Sequence, residues 1–453
     1  MVQIKLIPVE EFLRIRRAPL GKYGRLALLA DMCRANTLAS VKRAGSGHLG
    51  SSFSSLDIVT MLYYSEMNTA ELGIEHPDRD IYFSSKGHDV PGLYSVLFSL
   101  GILPKEQFLS LRRLGGTCGH PDVRTPGIEA NSGSLGMGIS KAKGMAFAKR
   151  LRGHGGRIFV MTGDGELQEG QIYEALQTAV HQGLTNLHII VDHNKVQSDK
   201  LVKEITDLGN LEAKFRAFGW HVARCDGHDF RQLDRVFAEF REITDKPKVL
   251  IADTIKGRGV SFMEHPAALK AGGGLYRWHA GAPDDRSFTL AYEEIIERIN
   301  RGLAEAGLSP LELEEVPPED KKPSGVSREY VADAFGEALV ELGAEREDLV
   351  VLDADLSADC RLRDFEARYP ERFIENGIAE QDMVSMAGGL ALQGLLPVVN
   401  TFAAFLAARA NEQIYTNACE RTKIIYVCHY ACLLYTSDAA DEGLGVDLGG
   451  RRI

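Results

Sequence analysis

Two residues carry the first hint of chemistry in this chain. Asp164 stands between glycines in Gly163-Asp164-Gly165, and Asn194 follows thirty residues later in Asp192-His193-Asn194-Lys195-Val196. A carboxylate and an amide oxygen brought side by side suit a hard divalent cation, which takes oxygen ligands from protein and phosphate alike. The flanking glycines let backbone approach a diphosphate closely. Four histidines lie in short glycine-bearing segments: His48 in Ser46-Gly47-His48-Leu49-Gly50, His88 in Lys86-Gly87-His88, His120 in Gly119-His120-Pro121, and His279 in Trp278-His279-Ala280-Gly281. Imidazoles hydrogen-bond phosphate, polarise carbonyls and move protons near neutral pH. Singly, each feature is ordinary, since Gly-Asp-Gly is a common turn and a lone histidine is usually a surface or core residue.

The elements around Asp164 supply the positioning. Ile158 to Met161 is a short apolar run, helical spacing extends from Glu169 to Gln182, and Leu187 to Val191 is a second apolar run. This reads as a β-α-β unit with Asp164 and Asn194 at neighbouring strand ends, where open α/β sheets bind ligands. Val249 to Ala252 repeats the pattern ahead of Asp253-Thr254, and Gly133-Ser134-Leu135-Gly136-Met137-Gly138 enters a helix expected over Ile139 to Arg150. Alternation of this kind fills the first 280 or so residues. Residues 308–324 are rich in Pro and charge, which predicts a linker. A helix over Ser327 to Leu342 and a strand over Leu349 to Leu352 then restart the alternation, which continues through Val427. Beyond about Ala431 no period continues, and the segment reads either as a disordered tail or as non-native sequence.

Composition narrows the function classes. Of 453 residues, 44% are apolar and 25% charged, the balance of a folded enzyme. A net charge of -11 argues against a nucleic-acid surface, which needs clustered Lys and Arg. Seven scattered cysteines without CxxC pairs suggest free thiols in a reducing cytoplasm. The first residues lack the order of a signal peptide. The most apolar stretch, Gly388 to Ala408, contains Gln393, Pro397 and Asn400 and reads as core rather than a membrane span.

Together, in this order and over roughly Ala30 to Tyr430, these motifs resemble the thiamine-diphosphate enzymes of the transketolase family. The resemblance implies an α/β chain with two thiamine-diphosphate-binding-type domains, each a mostly parallel sheet flanked by helices. The diphosphate-binding domain would span residues 1–300, a linker 301–325, a partial pyrimidine-binding domain 326–431, and a disordered or non-native tail 432–453. It implies thiamine diphosphate with Mg²⁺ (or Ca²⁺ or Mn²⁺) as cofactors, the metal held by Asp164, Asn194 and the backbone carbonyl of Val196. Gly133, Leu135, Gly165 and Glu166 would line the cofactor, and Glu169 would join a network linking paired cofactors across a homodimer. His88 and His279 would approach the diphosphate, while His48 and His120 would face the donor sugar. Glu380, in Glu375-Asn376-Gly377-Ile378-Ala379-Glu380-Gln381, would bond N1′ of the aminopyrimidine and be kept protonated by an apolar pocket. Phe402 and Phe405 would cradle the pyrimidine, and Arg328 and Asp355 would contact the sugar and its phosphate. Glu380, His279, His48 and His120 are the implied catalytic groups.

The implied reaction moves a two-carbon ketol unit from a ketose (phosphate) to an aldose (phosphate) through the C2 ylide of the thiazolium. Two departures stand out. Asp359 occupies a position where the family often has Ser or Thr, and an acid there disfavours a substrate phosphate. The remainder of the pyrimidine domain and a third domain are absent from the sequence, which predicts an open sheet edge and poor folding. Two alternatives stay open: a 1-deoxyxylulose-5-phosphate synthase-like enzyme, and a non-catalytic cofactor-binding fragment or subunit.

Overall fold

The computed structural model describes residues 2–113, 115–317 and 331–430. They form two compact units, the first built on residues 2–200 and 208–317 and the second on residues 201–207 and 331–430. Arg328 and the tail expected over 432–453 lie outside the described residues.

A short strand, β1 (Ile4–Leu6), opens the first unit. Five strands then make a wholly parallel sheet: β2 (Ile81–Ser84), β3 (Ile158–Gly163), β4 (Leu187–His193), β5 (His221–Asp226) and β6 (Lys248–Asp253), in the spatial order β2-β3-β4-β6-β5. Central strands of such a sheet are covered on both faces and so read as unbroken apolar runs. Ile158 to Met161, Ile189 to Val191 and Val249 to Ala252 are all fully buried. The edge strand β5, His-Val-Ala-Arg-Cys-Asp, buries only Cys225 and carries no such run, so its sequence gives little sign of a strand. The crossover helix Gly170–His181 buries Ile172, Ala175, Leu176 and Ala179, one face at helical spacing. The helix expected over Ile139 to Arg150 spans Gly138–Arg152 and ends on Gly153 in the left-handed conformation.

The stretch expected as a linker is partly built into this unit. The helix Asp285–Glu305 runs through residues 301–305 because its buried face, Phe288, Ala291, Ile295, Ile299 and Leu303, keeps its period to the end. Strand β7 (Glu314–Val316) then pairs antiparallel with β1, Ile4 opposite Val316. Its Pro-rich and charged surroundings mark an exposed edge pairing here.

The second unit repeats the architecture. Strands β8 (Leu349–Asp353), β9 (Phe373–Glu375), β10 (Leu396–Phe402) and β11 (Ile425–His429) lie parallel in the order β11-β10-β8-β9. Side chains alternate between two cores: Leu349, Val351, Leu396 and Val398 pack with Leu339, Leu362 and Phe365, whereas Val350, Leu352 and Val399 pack with Met383, Val384, Ala387 and Leu406. This is the α/β class the sequence implies, with a parallel sheet between helices in each unit. The apolar stretch Gly388 to Ala408 is divided among the helix Glu380–Leu392, β10 and the helix Ala403–Arg409, and among the described residues no helix is long and apolar enough to cross a membrane.

One core residue is out of character. His188 of β4 is 2% exposed, packs 4.8 Å from the Phe159 ring, and leaves Nδ1 without a hydrogen-bond partner among the described residues. Burial pushes its pKa well below the ordinary 6.5, with Lys248 and Arg157 adding to the shift. The unfolded chain therefore takes up a proton near pH 6.5 that the folded chain refuses, so this residue costs stability as pH falls. Replacing the unpartnered ring in His188→Leu should raise stability near neutral pH by about 1 kcal/mol. Urea unfolding of both proteins at neutral and mildly acidic pH should also show a shallower acid loss in the variant; equal slopes would contradict this account.

Candidate active site

The polar side chains expected to act in the first unit lie around the carboxyl ends of β2, β3, β4 and β6. Asp164 follows β3, is 2% exposed, and accepts from the backbone N–H of Gly165 at 2.9 Å and of Lys195 at 2.6 Å. Lys195 takes a positive φ of 69°, an uncommon conformation for a side-chain-bearing residue, and its bond to Asp164 pins that turn. The turn presents Asn194, whose Oδ1 accepts from Val196 N–H at 3.1 Å, and the Val196 carbonyl.

Two buried aspartates lie here with opposite electrostatics. Asp192 is fully buried, yet Lys86 Nζ donates to it at 2.5 Å, Ser54 Oγ at 2.6 Å and Asn194 Nδ2 at 3.2 Å, with Thr254 also bonded. Its carboxyl stays below the usual range: burial opposes ionisation, but the Lys86 ammonium and these hydrogen bonds outweigh it. Asp164 has no such cation at contact among the described residues, and burial is the largest influence, raising its pKa. A buried carboxylate short of positive charge beside an amide oxygen and a carbonyl is a donor set that a hard divalent cation fits. Among the described residues no three His, Cys, Asp or Glu are placed to hold a metal, and this oxygen set contains one carboxylate only.

The four histidines cluster. His48 has ring centroids of His279 at 5.1 Å, His88 at 5.3 Å and His120 at 6.0 Å, and His88 lies 5.2 Å from His279. Partners assign the ring protons. His88 Nδ1 is 3.0 Å from the Lys86 carbonyl, so Nδ1 carries hydrogen and Nε2 is left as an acceptor. His48 Nδ1 faces the Arg112 guanidinium at 3.4 Å, so there the hydrogen sits on Nε2. Burial, with the neighbouring His48 and Lys86, holds the His88 pKa well below 6.5, a neutral ring near pH 7.

Glu166 ties the surrounding loops together. Its Oε1 accepts from Gly136 N–H at 2.9 Å and from Ser85 Oγ, and its Oε2 accepts from Gly163 N–H at 3.2 Å. Two glycines permit close approaches, one to backbone and one to a side chain. A Cβ on Gly87, at φ +71°, would come 2.7 Å from Gly133 N, and one on Gly136, at φ +87°, would come 2.8 Å from Glu169 Cβ. Leu135 is half-buried between them in sequence, Gly165 packs against the Gln197 side chain, and Glu169 is buried at the start of its helix.

Glu380, Phe402, Phe405 and Asp355 belong to the second unit. Glu380, 2% exposed, begins the helix Glu380–Leu392, and its Oε2 accepts from Arg409 Nη1 at 2.6 Å. The apolar pocket expected around it is thus corrected: a guanidinium faces it. Arg409 also lies 5.2 Å above the Phe405 ring, while Phe402 is buried in the core 6.0 Å from Phe405. Asp355 is buried, with φ of 59°, and its N–H donates to Glu375 Oε1 at 2.9 Å. Burial and the Glu375 carboxylate push neighbouring Asp353 well above the usual carboxylate range.

Several functional-looking residues escape a reading of the sequence: Lys86, Asp192, Gln197, Lys256 and Arg409. Lys86 and Asp192 stand inside the motifs already quoted, and Lys256 follows β6 by three residues, so their signal is a polar side chain at a strand end. Arg409 has no comparable signal.

A parallel sheet carrying an oxygen-ligand turn and a histidine cluster on its carboxyl ends defines the first unit as a cofactor-binding α/β domain. Residues 26–307 match the family model described as transketolase, thiamine diphosphate binding domain, and residues 330–441 that described as transketolase, pyrimidine binding domain. The chain belongs to the transketolase family. Transketolase-like protein 2 of Mus musculus is 33% identical over 416 residues, covering 88% of this chain and 64% of that protein. One of the subunits of the apulose-4-phosphate transketolase of Phocaeicola vulgatus is 34% identical over 277 residues, 61% of this chain and 95% of that one. The solved transketolase of Campylobacter jejuni shares the fold with a TM-score of 0.53 at 23% identity, covering 89% of this chain and 69% of that one. The chain spans just under two thirds of the length of the transketolase-like relatives it matches.

Proposed function

We propose that this chain is a thiamine diphosphate- and Mg²⁺-dependent transketolase, moving a two-carbon ketol unit between sugars or sugar phosphates and working as a cytoplasmic homodimer. The observation that carries the reading is the unbroken line of contacts from the buried Asp164, through the Lys195 turn with Asn194 and Val196, to Lys256 and His279 in the histidine cluster. A cation held by those oxygens would lie beside donors for an anion, which a metal-bound diphosphate requires. Ca²⁺ or Mn²⁺ would suit the same oxygens.

Bound thiamine diphosphate would supply a carbon nucleophile that adds to a ketose carbonyl and stores the electrons of the broken C–C bond. The chain's own residues position and move protons. Asp164, Asn194 and the Val196 carbonyl would hold the metal. His48 offers an N–H to a sugar oxygen, His88 an acceptor, and His120 lines the same cluster. Glu380 is the proton-transferring carboxyl of the second unit, set by Arg409. The direct test is conversion of a ketose donor and an aldose acceptor by the purified chain with thiamine diphosphate and Mg²⁺. Two-carbon transfer is expected; consumption of pyruvate instead would point to the deoxyxylulose-phosphate synthase type. The near-complete coverage of the Phocaeicola vulgatus protein favours one further reading, in which the first unit serves as the cofactor-binding part of a two-chain enzyme. Activity appearing only when a second, complementing chain is added would select it.

A further inference from the structure

We propose that Lys256 is a positioning residue that fixes the tautomer of His279 and braces the metal-binding turn through the same ammonium. The side chain is 1% exposed, and its Nζ donates to the Val196 carbonyl at 3.1 Å and to the Gln197 carbonyl. It also lies 3.0 Å from His279 Nδ1 and 5.2 Å from the centre of the Tyr276 ring. An ammonium has three donors and no acceptor. Two donors go to carbonyls, so the contact to His279 is a donation as well, and Nδ1 must present its lone pair. The imidazole hydrogen is then confined to Nε2. Near neutral pH an imidazole without such a partner exchanges between both forms, and only the Nε2–H form offers this edge as a donor.

The same three bonds join two parts of the site that are far apart in sequence. Val196 belongs to the turn after β4, His279 to the Trp278-His279-Ala280 segment, and Lys256 to the loop after β6. That loop is itself held: Ile255 N–H donates to His228 Nε2 at 2.9 Å, and His228 Nδ1 bonds buried Asp57 at 2.7 Å. Lys256 therefore sits on a braced backbone with its charge shared between the carbonyl that would face the metal and the histidine that would face the diphosphate. The ammonium leaves the second lone pair of the Val196 carbonyl for a metal and adds a fixed positive charge where an anion would bind.

This inference rests on the proposed cofactor site, and two measurements separate its failure from the failure of that site. Nitrogen-15 imidazole spectra of the full chain, with His279→Gln to assign the signal, need no cofactor. They should show His279 as the Nε2–H form in the wild type and as a mixture in Lys256→Met. Calorimetric titration with thiamine diphosphate in Mg²⁺ should show affinity reduced about 10- to 100-fold in Lys256→Met, the range for loss of a charged hydrogen bond. Lys256→Arg, which retains charge and donors, should restore most of it and keep the tautomer. Should Lys256→Met fail to fold, the wild-type spectrum and the Arg variant still decide. An Nδ1–H form in the wild type, or an unchanged tautomer and affinity in Lys256→Met, would overturn the proposal. A wild type that shows the Nε2–H form but binds no thiamine diphosphate would instead sink the cofactor reading.

Discussion

Asp164→Ala is expected to weaken Mg²⁺-dependent binding of thiamine diphosphate by at least about 100-fold, beyond the 10- to 100-fold usual for groups that merely support a metal ligand. Two losses combine. The substitution removes the one carboxylate of the proposed oxygen set, and with it the charge that would draw a divalent cation into a buried position. It also takes away the acceptor of the Lys195 N–H, the bond at 2.6 Å that pins a backbone at positive φ. Asn194 and Val196 flank that residue, so the other oxygens proposed to hold the metal would lose their placement too. Asp164→Asn separates the effects, because a neutral amide oxygen can still accept from Lys195 while the charge is gone. Calorimetric titrations at fixed Mg²⁺ should rank the proteins wild type, Asn, Ala in falling affinity. Binding by the Ala variant within about threefold of wild type would remove Asp164 from the metal site, since that is well below what one lost charged interaction costs.

Glu380→Gln should show two separable defects. Proton transfer by a positioned carboxyl contributes about 10²- to 10⁴-fold to turnover, and the amide cannot perform it. Turnover should fall by that factor while thiamine diphosphate affinity changes little. The second defect is in folding. Glu380 and Arg409 form a buried pair with side-chain exposures of 2% and 10%, and losing one partner of such a pair typically costs about 3–5 kcal/mol. Thermal melting should therefore show the second unit destabilised before any substrate is added. Full stability with lost turnover would mean that Arg409 finds compensation elsewhere; lost stability with full turnover would remove Glu380 from the chemistry.

How much of this is legible in the sequence differs by element. The central strands β3, β4, β6 and β8 are buried on both faces, so their apolar runs announce them, and the residues that follow them mark the site. The edge strand β5 shows no such run because only one of its residues is buried. The stretch around residues 301–316 reads as a linker, since Pro and charge describe its exposed side, while the buried Leu303 and the pairing of Val316 with β1 depend on long-range contacts. The histidine cluster is readable from four short motifs. The groups that set its chemistry are harder to find: Lys256, Arg409 and the groups they touch are joined only by the fold, and a guanidinium opposite Glu380 is invisible without its helix packed in place.

The bonds of Glu166 bear on how this site can change over generations. One carboxylate holds Ser85 just after β2, Gly136 just before the helix Gly138–Arg152, and Gly163 at the end of β3. A substitution that reshapes any one segment shifts the shared anchor and so disturbs the other two. Substitution is then expected to be easier at positions that take no part in the shared bonds. Transplanting any one of the three segments alone into another parallel sheet would carry over its sequence without its geometry.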